Sequence, residues 1–149
     1  MAKMIITLRV FIARRFLVLE AWMVLHAMSI LLKVWGFGKT VKHVCPQQDG
    51  RKPVPTAPDE AAVDRVTAAI ARAKGWHMRG TTEDCLPVAL TGLVLLRRKG
   101  VAAQLMLGVR RFPFGAHAWV KVGERVVDFP PEKHRNFVAV AVTDGMRWG

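Results

Sequence analysis

A chain of 149 residues, 52% of them apolar, is too hydrophobic to stay disordered. It is long enough to bury about 68–70% of its unfolded surface in one compact core. Its two cysteines exclude a zinc cage built mainly of thiolates and fit a reducing cytoplasm, where the sequence places the protein. The 23 Lys and Arg against 11 Asp and Glu leave a net charge of +12, but the charge is spread thinly, with Arg14-Arg15, Arg97-Arg98-Lys99 and Arg110-Arg111 among its few basic clusters. None has the aromatic interleaving or spacing of a nucleic-acid surface, so no nucleic-acid partner is expected.

From Met4 to Phe37 the chain is dense in Ile, Leu, Val, Met and Trp, interrupted by Arg9, Arg14, Arg15, Glu20 and Lys33. The uncharged run from Ala21 to Leu32 has 12 residues, whereas a membrane-spanning helix needs about 20. One or two helices packed on the rest of the chain are therefore expected, with docking of a partner or peripheral contact with the inner membrane surface as the other use of so apolar a segment. No small-residue cleavage site follows it, and Lys42-His43-Val44 before Cys45 is not a lipidation site. Gly36, Gly38, Pro46, Gly50, Pro53, Pro55 and Pro58 read as a long connection, which divides the chain into a hydrophobic helical segment with linker, 1–58, and a core, 59–149.

Asp59 is a good helix N-cap; Val63, Val66, Ile70 and Ala73 recur at helical spacing, and Gly75 is read as the stop. A second helix starts after Thr82 or Asp84, carries a stripe of Leu86, Ala89, Leu90, Leu93 and Val94, and ends at Arg97-Arg98-Lys99-Gly100. Cys85 thus falls in a first turn, where free amides and the helix dipole favour the nucleophilic thiolate. After Gly100 the period shortens to that of strands: Val101–Val109, Ala116–Val122 and Arg125–Phe129, with Phe112–Gly115 and Gly123-Glu124 as turns. If Gly123-Glu124 is a two-residue turn, Val122 opposes Arg125 and Trp119 opposes Asp128, which sets His117 and Asp128 diagonally on one face. A three-residue turn puts them on opposite faces.

A thiol at a helix start, an imidazole and a carboxylate on consecutive strands are the parts of a nucleophile, its base and the group that orients the base. Cys85, His117 and Asp128 fit these roles. A metal site is not expected, because His117 and Asp128 have no clear third ligand; His134, in a Pro-rich loop, is the nearest candidate. The amides of Cys85 or Leu86 are candidates for an oxyanion hole, and Trp76, Arg79 or Glu83 for lining the site. Phe112, Phe114 and Trp119 are read either as a substrate pocket or as core aromatics.

The stretches Cys85-Leu86-Pro87, Leu95-Leu96-Arg97-Arg98-Lys99-Gly100-Val101, Gly108-Val109-Arg110, Ala116-His117-Ala118-Trp119-Val120 and Val127-Asp128 resemble the transglutaminase-like core of lasso peptide biosynthesis B2 proteins. The resemblance runs over about residues 76–130 and rests on the order Cys, His, Asp at separations of 32 and 11 residues. Lys121, where an acidic residue is common, and Phe129-Pro130-Pro131 after the aspartate depart from the pattern. The resemblance implies an α+β fold of the papain/transglutaminase-like class: N-terminal helices, the cysteine on a helix N-terminus, His and Asp on adjacent antiparallel strands. It implies a cysteine protease without cofactor or metal that removes the leader from a lasso precursor peptide. Cys85 would be the nucleophile, His117 the base and Asp128 its orienting group; Trp76, Phe114 and Trp119 are candidates for substrate contact from the residues themselves. The implied partners are the precursor's leader region, a separate leader-recognition B1 protein and the lasso cyclase. Two alternatives stand beside it: acyl transfer to an amine by the same trio, and a non-catalytic, basic, membrane-associated scaffold.

Overall fold

The computed structural model describes the backbone of residues 2–44, 59–77, 85–129 and 131–142, and their side chains apart from those of 2–11, 77, 141 and 142. Helix α1 (Ala2–Val44) is followed by α2 (Glu60–His77) and α3 (Cys85–Arg98), then by strands β1 (Ala103–Arg110), β2 (Gly115–Val122) and β3 (Arg125–Val127). A 3-10 turn, Lys133–Asn136, leads into β4 (Val138–Val142). The strands form one antiparallel sheet in the order β3-β2-β1-β4. The fold is α+β.

The N-terminal segment is more continuous than its glycines suggest. Gly36 does not end α1; it takes a left-handed conformation (φ 74) that kinks it, and Thr40 Oγ1 donates to the Gly36 carbonyl at 2.8 Å on the far side. Val18, Ala21, Leu25, Met28 and Val41 face inward and belong to the same core as α2, α3 and the sheet. The opposite side of the helix is apolar too: Ile12, Phe16, Leu19, Met23, Ile30 and Val34 are exposed, at spacings that keep them on one stripe. Residues Ile12–Val44 are long and apolar enough to cross a membrane by length and composition, although the inward stripe is committed to packing. The count of 12 uncharged residues misses this because the helix tolerates isolated charges at its edges; one of them, Glu20, is bonded by Arg98 of α3 at 3.0 Å.

Asp59 caps α2 as expected: Ala62 N donates to Asp59 Oδ1 at 3.0 Å, supplying one of the first-turn amides with an acceptor. The helix runs through Gly75 to His77, since Gly75 lacks the positive φ of a C-terminal cap. Arg125 of β3 reaches back to bond Glu60 and Asp64, fastening the sheet's end to α2.

Helix α3 is the centre of the molecule. Its sequence suggests a one-sided stripe, but Pro87 to Leu93, Leu95 and Leu96 are all buried, because α1 and α2 pack on one side and β1 and β2 on the other. Gly92 admits this closeness: a Cβ there would sit 3.5 Å from Ile70 and 3.6 Å from Val120. The helix ends where the sequence says, in a paired bond pattern around Gly100 (φ 76), with Gly100 N to Arg97 O at 2.9 Å and Val101 N to Leu96 O at 3.0 Å. Val101 is consumed by this cap, so β1 starts at Ala103 instead of Val101.

The β2–β3 turn is the two-residue form. Val122 pairs with Arg125 and Val120 with Val127, with Gly123 at φ 56. Strand β4 has no counterpart in the sequence reading. It pairs with β1 and shifts register between Leu107 and Gly108, so that Ala141 and Ala139 oppose consecutive residues of β1 and Val140 is the extra residue of a bulge. Here Gly108 lets the Trp119 ring lie across β1: a Cβ would be 2.6 Å from Trp119 Cη2 and 3.0 Å from the Val138 carbonyl. Gly108→Ala is therefore expected to destabilise the fold by about 1–3 kcal/mol. Urea unfolding checks this, and an unchanged midpoint would mean the ring yields freely.

Candidate active site

Cys85 opens α3, half-buried, at the helix end where unsatisfied amides gather. The helix starts there because Pro87, which lacks an amide hydrogen, is tolerated only in a first turn. The residues before it, including the expected caps Thr82 and Asp84 and the lining candidates Arg79 and Glu83, lie outside the described residues, as does Cys45.

His117 and Asp128 are buried, at 2% and 6% exposure, and His117 Nε2 lies 2.6 Å from Asp128 Oδ1. A carboxylate can only accept, so Nε2 carries the proton. Neutral imidazole then leaves Nδ1 with a lone pair, and Nδ1 is a buried atom without a formed hydrogen bond. A buried acceptor without a partner calls for an explanation. The adjacent group is the Cys85 thiol, close enough for hydrogen bonding and charge to shift both, though not in full hydrogen-bond geometry. Such contacts commonly tighten only once substrate is bound.

Asp128 has all its acceptor capacity in use. Oδ1 takes His117 Nε2 and the Phe129 amide (2.8 Å); Oδ2 takes the His134 amide (2.5 Å) and His134 Nδ1 (3.1 Å). Burial works to raise this carboxyl, but its bonds from His117 and the His134 backbone, with the charge of His117, hold it below its ordinary range. For His117 burial works downward, yet Asp128 and Cys85 lift the imidazole to about 9. The Cys85 thiol is pushed up by burial and drawn down further by His117, the Ala118 backbone and the charge of Lys133, so it settles below its ordinary value. The trio is thus biased towards thiolate and imidazolium.

Aromatic rings wall this pair. Phe137 is tilted against the His117 ring at 5.2 Å between centroids, and Trp119 is stacked with it at 5.9 Å. Trp119 also meets His134 at 5.9 Å, and Arg110 sits over Phe137 at 5.1 Å. Cys85, Ala118, Trp119, Asp128 and Phe129 share a small cleft, so Trp119 is beside the chemistry but buried. Trp76 and Phe114 are 68% and 84% exposed, on the last turn of α2 and the β1–β2 loop. Among the described residues no three His, Cys, Asp or Glu side chains converge as metal ligands would.

From sequence His134 is a candidate only for a metal ligand, and Phe137 carries no signal of its own for a role at the site. Their signal is the Pro130-Pro131 pair, which favours a chain reversal just past Asp128.

The family model of the transglutaminase-like superfamily matches residues 24–142. The microcin J25-processing protein McjB of Escherichia coli is 30% identical over 66 residues, a stretch that makes up 44% of this chain and 32% of McjB. The chain thus covers about a third of that relative's length. No solved structure matches.

The pH behaviour follows from the signs. A raised His117 stabilises the fold below its unfolded value near 6.5 and loses that contribution as pH rises through about 9. A lowered Cys85 has the opposite sign: its contribution is complete above its unfolded value and is lost as pH falls through its depressed value in the fold. The two contributions have opposite signs, so reactivity is the sharper measurement. Iodoacetamide should alkylate Cys85 well below the ordinary thiol range near 8.5. In His117→Gln, where burial acts on the thiol without the imidazole, the rate at pH 6.5 should fall by up to about tenfold for each pH unit its midpoint rises. Equal pH profiles for the two proteins would show that His117 does not control the thiol.

Proposed function

Because the chain belongs to the transglutaminase-like superfamily, we propose that it is a cysteine peptidase that removes the leader from a ribosomally made lasso precursor peptide in the cytoplasm. The single observation that carries this reading is the half-buried thiol at the start of α3. It sits beside an imidazole whose far nitrogen is bonded at 2.6 Å to a buried carboxylate. The partial likeness to a microcin-processing protein supports a peptide precursor as substrate class.

In this reading Cys85 Sγ attacks the scissile carbonyl carbon while its proton resides on His117 Nδ1. The tetrahedral oxyanion is met by amides at the start of α3, among them those of Cys85 or Leu86, where the helix dipole favours negative charge. Collapse breaks the C–N bond, and His117 returns its proton to the departing amine. Water then attacks the thioester and gives a proton to His117. The C–S bond breaks, a carboxylic acid leaves, and the thiol is restored. Asp128 keeps Nε2 protonated and the ring turned, so that Nδ1 remains the atom facing sulfur.

The partners in this reading are the precursor's leader region, a separate leader-recognition protein and the cyclase that takes the core peptide. Residues 59–149 carry the chemistry, but the first 58 are not dispensable to it. A truncation before residue 40 would take Val18, Ala21, Leu25 and Met28 from the core on which α3 rests.

The test mixes precursor peptide, recognition protein and this chain as wild type or Cys85→Ala, with the products read by mass spectrometry. Wild type is expected to yield two fragments whose masses sum to precursor plus one water, and Cys85→Ala none. A product lighter than precursor plus amine by one ammonia identifies acyl transfer instead. Absence of any product with folded wild-type protein and bound precursor leaves the scaffold reading.

A further inference from the structure

Of the features the proposed chemistry leaves unused, the short turn between β3 and β4 makes the most specific contacts with the site. It begins at Glu132, a non-glycine residue in the left-handed region (φ 65), and is closed by Arg135 N to Glu132 O at 3.1 Å and Phe137 N to His134 O at 3.0 Å. A side-chain bridge from Arg135 to Glu132 at 2.9 Å adds to it. A backbone held in a sparsely populated conformation persists where its surroundings over-determine it. The determining contacts here are with Asp128. His134 gives Oδ2 two bonds, backbone N at 2.5 Å and Nδ1 at 3.1 Å, while Lys133 on one side acts on Cys85 and Phe137 on the other packs on His117.

We propose that His134 is a positioning residue for the Cys85, His117 and Asp128 trio: its Nδ1–H, bonded to Oδ2, fixes the rotation of the Asp128 carboxylate so that Oδ1 stays in line with His117 Nε2.

The argument is geometric. A carboxylate on the last residue before a loop turns about two single bonds, and the amides of Phe129 and His134 come from backbone on opposite oxygens. The His134 side chain is the one described donor that approaches Oδ2 from a ring itself held, against Trp119 at 5.9 Å. A bond to a charged acceptor is among the stronger kinds, and a positioning error at the carboxylate passes directly to Nδ1 through the rigid imidazole ring.

This inference rests on the reading of the trio given above, but its readout does not require the precursor. The full chain is prepared as wild type, His134→Asn and His134→Phe, and the rate of Cys85 alkylation by iodoacetamide is followed against pH, with unfolding midpoints measured alongside. Asn places an amide nitrogen near the position of Nδ1 and loses the ring. Phe keeps a ring against Trp119 and loses the donor.

Positioning through the bond predicts that His134→Phe loses about tenfold in rate at neutral pH, with its profile displaced to higher pH, and that His134→Asn restores most of both. If Phe preserves the profile and Asn does not, the ring packs and does not position, and the proposal falls. It falls equally if both variants titrate like wild type. Should the alkylation order appear as expected while wild type leaves every precursor intact, the peptidase reading fails and the role of His134 stands.

Discussion

The bond from His117 Nε2 to Asp128 Oδ1 is set by the length of one turn. Gly123 and Glu124 join β2 to β3, Gly123 supplying the positive φ that a tight hairpin requires. One residue more would turn Asp128 to the other face, because side chains alternate along a strand. The bond then determines much around it. It places the proton on Nε2, leaves Nδ1 as the base, and draws Asp128 into a buried position that must be fully bonded to be tolerated. That demand explains why β3 is shorter than the sequence suggests: at Asp128 the chain abandons sheet pairing, and the carboxylate gathers the amides of Phe129 and His134.

Burial and hydrogen bonding oppose one another at every member of the trio. Burial alone would neutralise the carboxylate, the imidazole and the thiol, and it is the largest influence on each. Opposite charges and aligned donors reverse it, so the direction in which each group is shifted depends on the others. The rings of Phe137 and Trp119 maintain the low-dielectric surroundings that make this coupling strong. They also explain why Trp119 is unsuited to serve as an open substrate surface: it is a wall of the site, held over Gly108 by a contact that even one extra methyl would violate.

Features carried by local physics were legible in the sequence. The Asp59 cap, the Gly100 helix stop, the hairpin register and the meeting of His117 with Asp128 each depend on a few neighbouring residues. Features that depend on distant packing were not. Gly36 reads as a breaker, but neighbouring helices hold α1 together across it. The segment Val138–Val142 alternates Val and Ala, a faint period-two signal, and becomes a strand because β1 offers an edge. Val138 is 72% exposed there, so hydrophobic burial cannot announce the strand. His134 lies six residues past Asp128, and no periodicity relates the two; only the turn itself brings them together.

The same distinction between local and distant control bears on α1. A helix apolar on one stripe is explained by the core it covers, but α1 is apolar on two, and its outward residues from Ile12 to Val34 lie outside the buried core. Leaving such a stripe in water is unfavourable, at about 25 cal/mol for each Å² of apolar surface, whereas polar substitutions there would leave the inward contacts of Val18, Ala21, Leu25 and Met28 untouched. Fold stability therefore imposes the inward stripe and is indifferent to the outward one. Among the described residues α1 is tied to α3 by the shared core of its inward stripe and by the bond from Arg98 to Glu20, while of the outward stripe Ile30 borders a cavity with Leu86 and Pro87. The two stripes thus answer to different demands: one supports the helix that presents the thiol, and the other, Ile30 apart, faces away from it.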